Sequence, residues 1–161
     1  MSTPTRPETV VEAPPGLPLI RISREFSAPP GRVYQAHVDP DLAMRWLGPR
    51  DISSRIDYWE ARTGGRWRYV SGRGAEEYWF YGSFHELRPG ERIVQTFTFE
   101  GMPDAVALEI ATFVELPGGR TRLEVVSVGR SVEDRDAMVA SGMEHGVVEG
   151  YQKLDDLLSD G

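Results

Sequence analysis

From Leu19 to Phe26 apolar Ile20 and Ile22 are interspersed with charged Arg21, Arg24 and Glu25, and this period near two predicts a half-buried strand that stops at Ala28-Pro29-Pro30. Upstream, Pro4, Pro7, Pro14, Pro15 and Pro18 interrupt a polar stretch. Proline has no N–H to give to a ladder, so residues 1–18 are read as a disordered tail and residues 19–161 as the folded domain. After the strand the period lengthens. Val33, Ala36 and His37 share one face of a short helix that closes near Val38. A second helix opens where Asp39 can cap free amides and Pro40 suits the first turn, and its Leu42 and Trp46 share a face.

Between Ile52 and Gly129 the period returns to two, broken by turn residues at Gly64-Gly65, Gly72-Arg73-Gly74, Pro89-Gly90, Gly101-Met102-Pro103-Asp104 and Pro117-Gly118-Gly119. A meander of about six strands is expected. Trp67 and Tyr69 fall on one face of it and Arg66 and Arg68 on the other, the pattern of a sheet with one buried side. Ser131 with Asp134 three residues on has capping-box spacing, and a terminal helix begins there. Its Met143, Val147, Tyr151, Leu154 and Leu158 make one apolar stripe. Gly142, Gly146 and Gly150 each cost a helix interior up to about 1 kcal/mol against alanine, which puts a kink near Ser141-Gly142; they are read as sites of close backbone packing rather than as a hinge. The order of elements is α+β: about seven antiparallel strands curling around one long C-terminal helix, with two short helices after the first strand. One helix cannot fill a strongly curved sheet, so a cavity is expected between them.

Composition narrows the classes of function. At 161 residues and 40% hydrophobic content the chain suits a single domain. A formal charge of −7 argues against nucleic acid and anionic membranes as partners. Without cysteine there is no disulfide, thiolate metal site or cysteine nucleophile. No apolar run approaches the ~20 residues that span a bilayer, and the start lacks the order of a signal peptide, so a cytoplasmic location and no membrane insertion are expected.

Several segments, in order, resemble one family. They are Arg24-Glu25-Phe26-Ser27-Ala28-Pro29, Val33-Tyr34-Gln35-Ala36, Asp39-Pro40-Asp41-Leu42 leading to Trp46, Glu60 to Arg68, Tyr81-Gly82-Ser83-Phe84-His85-Glu86-Leu87, Gly118 to Leu123, and Gly142-Met143-Glu144-His145-Gly146 through Leu158. Together they look like the START-like (SRPBCC) domains related to the activator of a heat-shock protein's ATPase. The resemblance implies a helix-grip fold, as in the Bet v allergens, in a superfamily that includes lipid carriers, hormone receptors and polyketide cyclases. The proline-rich tail is too short to stand in for the further N-terminal domain of the co-chaperone proper.

Candidate chemistry centres on aromatic residues. Trp46, Trp67, Tyr69, Trp79 and Tyr81, with His85, Phe97, Met143 and Val147, are the expected lining of the cavity, the make-up of a site for a small hydrophobic or aromatic molecule. Tyr81, Ser83 and His85 share a strand face, and His85, Tyr81 or Glu77 could move a proton if the chain were a cyclase- or dehydratase-like enzyme. His37, His85 and His145 have no spacing that aims two imidazoles at one metal, so neither metal nor cofactor is expected. His145, beside Glu144, is expected to be exposed. Glu60, Arg62 and Arg68 are read as a surface ion-pair network near a hairpin. There is no dinucleotide or Walker loop and no serine-nucleophile elbow. A chaperone partner follows from the resemblance alone, and a homodimer from no motif.

Overall fold

A computed structural model of the chain describes residues 6–160. Eight antiparallel strands form one curved, open sheet. In chain order they are β1 (Val10–Glu12), β2 (Leu19–Phe26), β3 (Ser53–Trp59), β4 (Arg66–Arg73), β5 (Glu76–Arg88), β6 (Arg92–Phe99), β7 (Ala107–Leu116) and β8 (Arg120–Val128). Their spatial order is β1-β2-β8-β7-β6-β5-β4-β3. Helices α1 (Pro30–Val38) and α2 (Pro40–Trp46) follow β2, and α3 (Val132–Ala140) and α4 (Met143–Ser159) close the chain. The helix-grip architecture expected from the residues is the one observed.

Residues 1–5 of the expected tail lie outside the described residues, but part of the remainder is ordered. Val10, Val11 and Glu12 pair with Ser23, Ile22 and Arg21. These three residues fall between Pro7 and Pro14, so the prolines bound the strand instead of preventing it, and β2 would otherwise present an unpaired edge. The count is therefore eight strands, one more than expected.

Local chemistry sets the helix boundaries. Asp39 Oδ1 accepts from the Asp41 amide at 2.9 Å and from that of Leu42 at 3.4 Å. Ser131 Oγ accepts from the Asp134 amide at 3.1 Å. The terminal helix breaks at Gly142, whose φ of +85° is strained for any side chain. Gly150 has the second role anticipated for these glycines. A Cβ there would stand 2.9 Å from the Trp46 carbonyl oxygen, so its absence lets α4 lie directly on α2.

The helices cover one face of the sheet, and packing there is uneven. Phe26, Val33, Leu123, Leu154 and Leu158 are almost completely buried beneath α1 and the C-terminal half of α4. Arg24, also on this face, is held by Asp155 through two 2.6 Å bonds and lies over the Phe26 ring. On the opposite face Arg68 pairs with Asp57 and Glu100, and Glu60 with Arg62 and Arg66.

Candidate functional site

In an antiparallel sheet paired residues share a face, so the register identifies what lies under the helices. Tyr69 pairs with Phe80, Phe80 with Phe99, Gln95 with Glu109, Ala111 with Val125, and Glu109 with Ser127. This half of the face lies away from α1. Phe80, Phe97, Ala111 and Val125 on the sheet, and Met138, Met143 and Val147 on the helices, pack against the core and are only half-buried.

A polar row crosses its floor. Gln95 Nε2 on β6 donates to Glu109 Oε1 on β7 at 3.0 Å, and Ser127 on β8 is the cross-strand neighbour of Glu109 on its other side. Desolvation raises the Glu109 pKa, and the neighbouring Gln95 and Ser127 side chains moderate the rise by favouring the charged form. The charge is felt across the interior. Burial above all, with the Glu109 charge added, raises the hydroxyl pKa of Tyr69 on β4 and of Tyr151 on α4. Glu109 forms no ion pair among the described residues, whereas Asp155 on α4 grips Arg24. A recess of about 30 Å³ between the sheet and α3 reaches Ser127, Ala107 and Met138. A wider open groove of about 540 Å³ lies between α2 and the edge strand β3, bordered by Met44, Ile56 and Trp59.

The expected lining residues divide between the two faces. Trp67 stacks on Tyr69 with ring centroids 5.5 Å apart and leans on Phe97 at 5.8 Å, and its buried Nε1 finds no acceptor among the described residues. Met143 and Val147 approach the same core from α4. Trp46 is occupied otherwise. Its Nε1 donates to the Ala36 carbonyl at 2.9 Å and its ring stacks on Tyr151, within the packed seat of α4. Trp79, Tyr81 and His85 do not line the interior. Tyr81 pairs with Arg68 on the outer face, and Trp79 lies under the guanidinium groups of Arg68 and Arg55 at 4.0 and 5.7 Å. His85 is exposed at a register shift between Phe84 and Glu86. The trio of Tyr81, Ser83 and His85 thus faces away from the helices, and Glu77 is likewise exposed, paired with Arg55. The outer rings are stabilised by arginine rather than by burial, which is why aromatic content did not reveal their direction.

His37 lies in the packed half, its ring 4.8 Å from Trp46 and 5.2 Å from Phe113. Nδ1 donates to the Val33 carbonyl at 2.7 Å, and burial lowers the pKa to about 4. The ring is neutral at pH 7. His145 is exposed beside Glu149, and no group of three or more potential metal ligands occurs among the described residues.

The family described as "Activator of Hsp90 ATPase homolog 1-like protein" matches residues 27–159. The chain belongs to that family. Protein CV1439 from Chromobacterium violaceum is 30% identical, with a TM-score of 0.78 over 88% of this chain and 96% of its own. Ms6760 from Mycobacterium smegmatis is 24% identical with a TM-score of 0.84, covering 94% of this chain and 97% of its own. A protein from Arthrobacter aurescens, also 24% identical, reaches 0.85 over 94% and 92%. The latter two share the fold. No curated protein matches the chain. No helix among the described residues is long and apolar enough to cross a membrane.

Glu109, Gln95 and Ser127 were not among the residues singled out by sequence. Apolar residues stand on both faces of β7, with Leu108 exposed on the outer side, so alternation could not show which way Glu109 points. The available signal was a single carboxylate amid Ala107, Leu108, Ile110 and Ala111.

Proposed function

We propose that this protein binds a small hydrophobic or aromatic molecule between its terminal helices and the covered face of the sheet. The observation that carries this reading is a set of apolar side chains, Phe80, Phe97, Ala111, Val125 and Val147, that pack against the buried core and yet remain only partly covered. Apolar area left accessible beside a core is area that a bound molecule can cover. Apolar walls with a few polar groups are what such sites use.

A thermal-shift panel of aromatic and polyketide-like compounds tests the proposal. At a hundred times its Kd a ligand adds about 2.7 kcal/mol, a rise of about 5–10 °C for a domain of this size. Absence of any shift across the panel would count against binding. Glu109 favours a second reading, a cyclase- or dehydratase-like reaction with this carboxyl as the proton-transfer group, because desolvation brings its pKa nearer neutrality. Glu109→Gln would then abolish turnover of a bound compound without abolishing its binding. A chaperone-partner role is supported by the family description and by no feature of this interior.

A further inference from the structure

We infer that Glu109 is the anchor of the bound molecule and that it selects a protonated amine carried on a hydrophobic body. This inference rests on the binding reading above and supplies it with a ligand class.

The placement comes first. Glu109 is the middle member of a cross-strand row, with Gln95 on one side and Ser127 on the other, set in the half-covered part of the face. Both neighbours are neutral donors. Gln95 fixes the direction of the carboxyl through its 3.0 Å bond, and neither neighbour compensates the charge. The buried charge on this face, by contrast, is paired within the chain. Arg24, 2% exposed, is matched by Asp155 through two charge-assisted bonds of 2.6 Å. A half-covered carboxylate with no cation partner among the described residues is one that a ligand ammonium can complement.

The surroundings favour a cation over a neutral donor. Tyr69, Phe80 and Phe97 form a connected aromatic wall, with Phe80 5.4 Å from Tyr69 and 5.3 Å from Phe97, and ring faces attract ammonium groups. The formal charge of −7 draws cations toward the molecule and repels carboxylate ligands. The recess that reaches Ser127 brings one end of the polar row close to the surface beside α3.

Three probes on one indole-ethyl scale separate the alternatives: tryptamine, tryptophol and indoleacetate, carrying an ammonium, a hydroxyl and a carboxylate. Titration calorimetry on the full chain should show tryptamine binding at least about tenfold more tightly than tryptophol, and indoleacetate most weakly. In Glu109→Gln, which keeps the size of the side chain, tryptamine should lose that advantage while tryptophol changes less than about twofold. The ranking in the unmodified protein stands as a test even if the variant folds poorly. Tryptophol or indoleacetate equal to tryptamine, other aromatics binding while tryptamine does not, or an ammonium preference that survives Glu109→Gln, would overturn the amine assignment and leave the binding reading intact. No binding by these probes or by the wider aromatic panel would remove both.

Discussion

Replacing Ala111 by leucine separates a hollow interior from a filled one by the sign of the result. Ala111 lies on β7 under the helices, paired with Ile93 on β6 and Val125 on β8, and is half-buried. Leucine adds three carbons. Burying each contributes about 0.8 kcal/mol, and restricting the new rotamers costs about 0.5–1 kcal/mol, so filling open space should stabilise the fold by about 1.5 kcal/mol. In a fully packed interior the same atoms would displace neighbours and cost about 1–3 kcal/mol. Urea unfolding monitored by tryptophan fluorescence measures the difference, and the thermal midpoint should rise by about 3–6 °C. The leucine should also weaken any hydrophobic ligand by occupying its place. A loss of more than about 1 kcal/mol at unchanged denaturant slope would refute the reasoning.

Gly150→Ala should lower stability by about 1–2 kcal/mol although alanine is the better helix former, because the new Cβ meets the Trp46 carbonyl oxygen at 2.9 Å; a rise in the thermal midpoint would show that α2 can yield. Asp155→Asn leaves Arg24 enclosed without its counter-charge and should cost about 3–5 kcal/mol, while Arg6→Ala, which removes an exposed partner of the same aspartate, should cost less than about 1 kcal/mol; similar losses in the two urea curves would contradict the buried-pair account. His37 has a folded pKa of about 4 against an ordinary 6.5, so the unfolded chain takes up the extra proton and stability should fall by about 3 kcal/mol as pH drops from above 6.5 to 4. Glu109 acts in the opposite sense from its ordinary value up to its raised one, so the His37 contribution is read as the difference between the unmodified protein and His37→Phe; parallel stability curves would exclude it.

The architecture was legible where short-range chemistry decides it. Asp39 with Pro40, and Ser131 with Asp134, mark helix starts through bonds made within one turn. Gly64, Gly90 and Gly118 adopt positive φ in the expected turns. Facing was harder to read. Tyr78, Trp79, Phe80 and Tyr81 put rings on both sides of β5, so a period of two carries no direction there. Strand β1 depended on a partner edge rather than on its own composition. The match of Arg24 with Asp155 joins residues far apart in the chain and so leaves no local pattern.

Close packing and half-covered apolar side chains both occur on the covered face. Phe26, Leu123, Leu154 and Leu158 provide close packing at one side, and Arg24 and Arg32 tie β2 and α1 to the end of α4 through Asp155 and the Leu158 carbonyl. That side can hold the fold while the other remains incompletely covered. A half-covered carboxyl whose cross-strand neighbours are both neutral contributes little to folding. Carboxyls with shifted pKa values concentrate where a protein acts on something else. On this face that carboxyl is Glu109, and it falls among apolar side chains that are left partly bare.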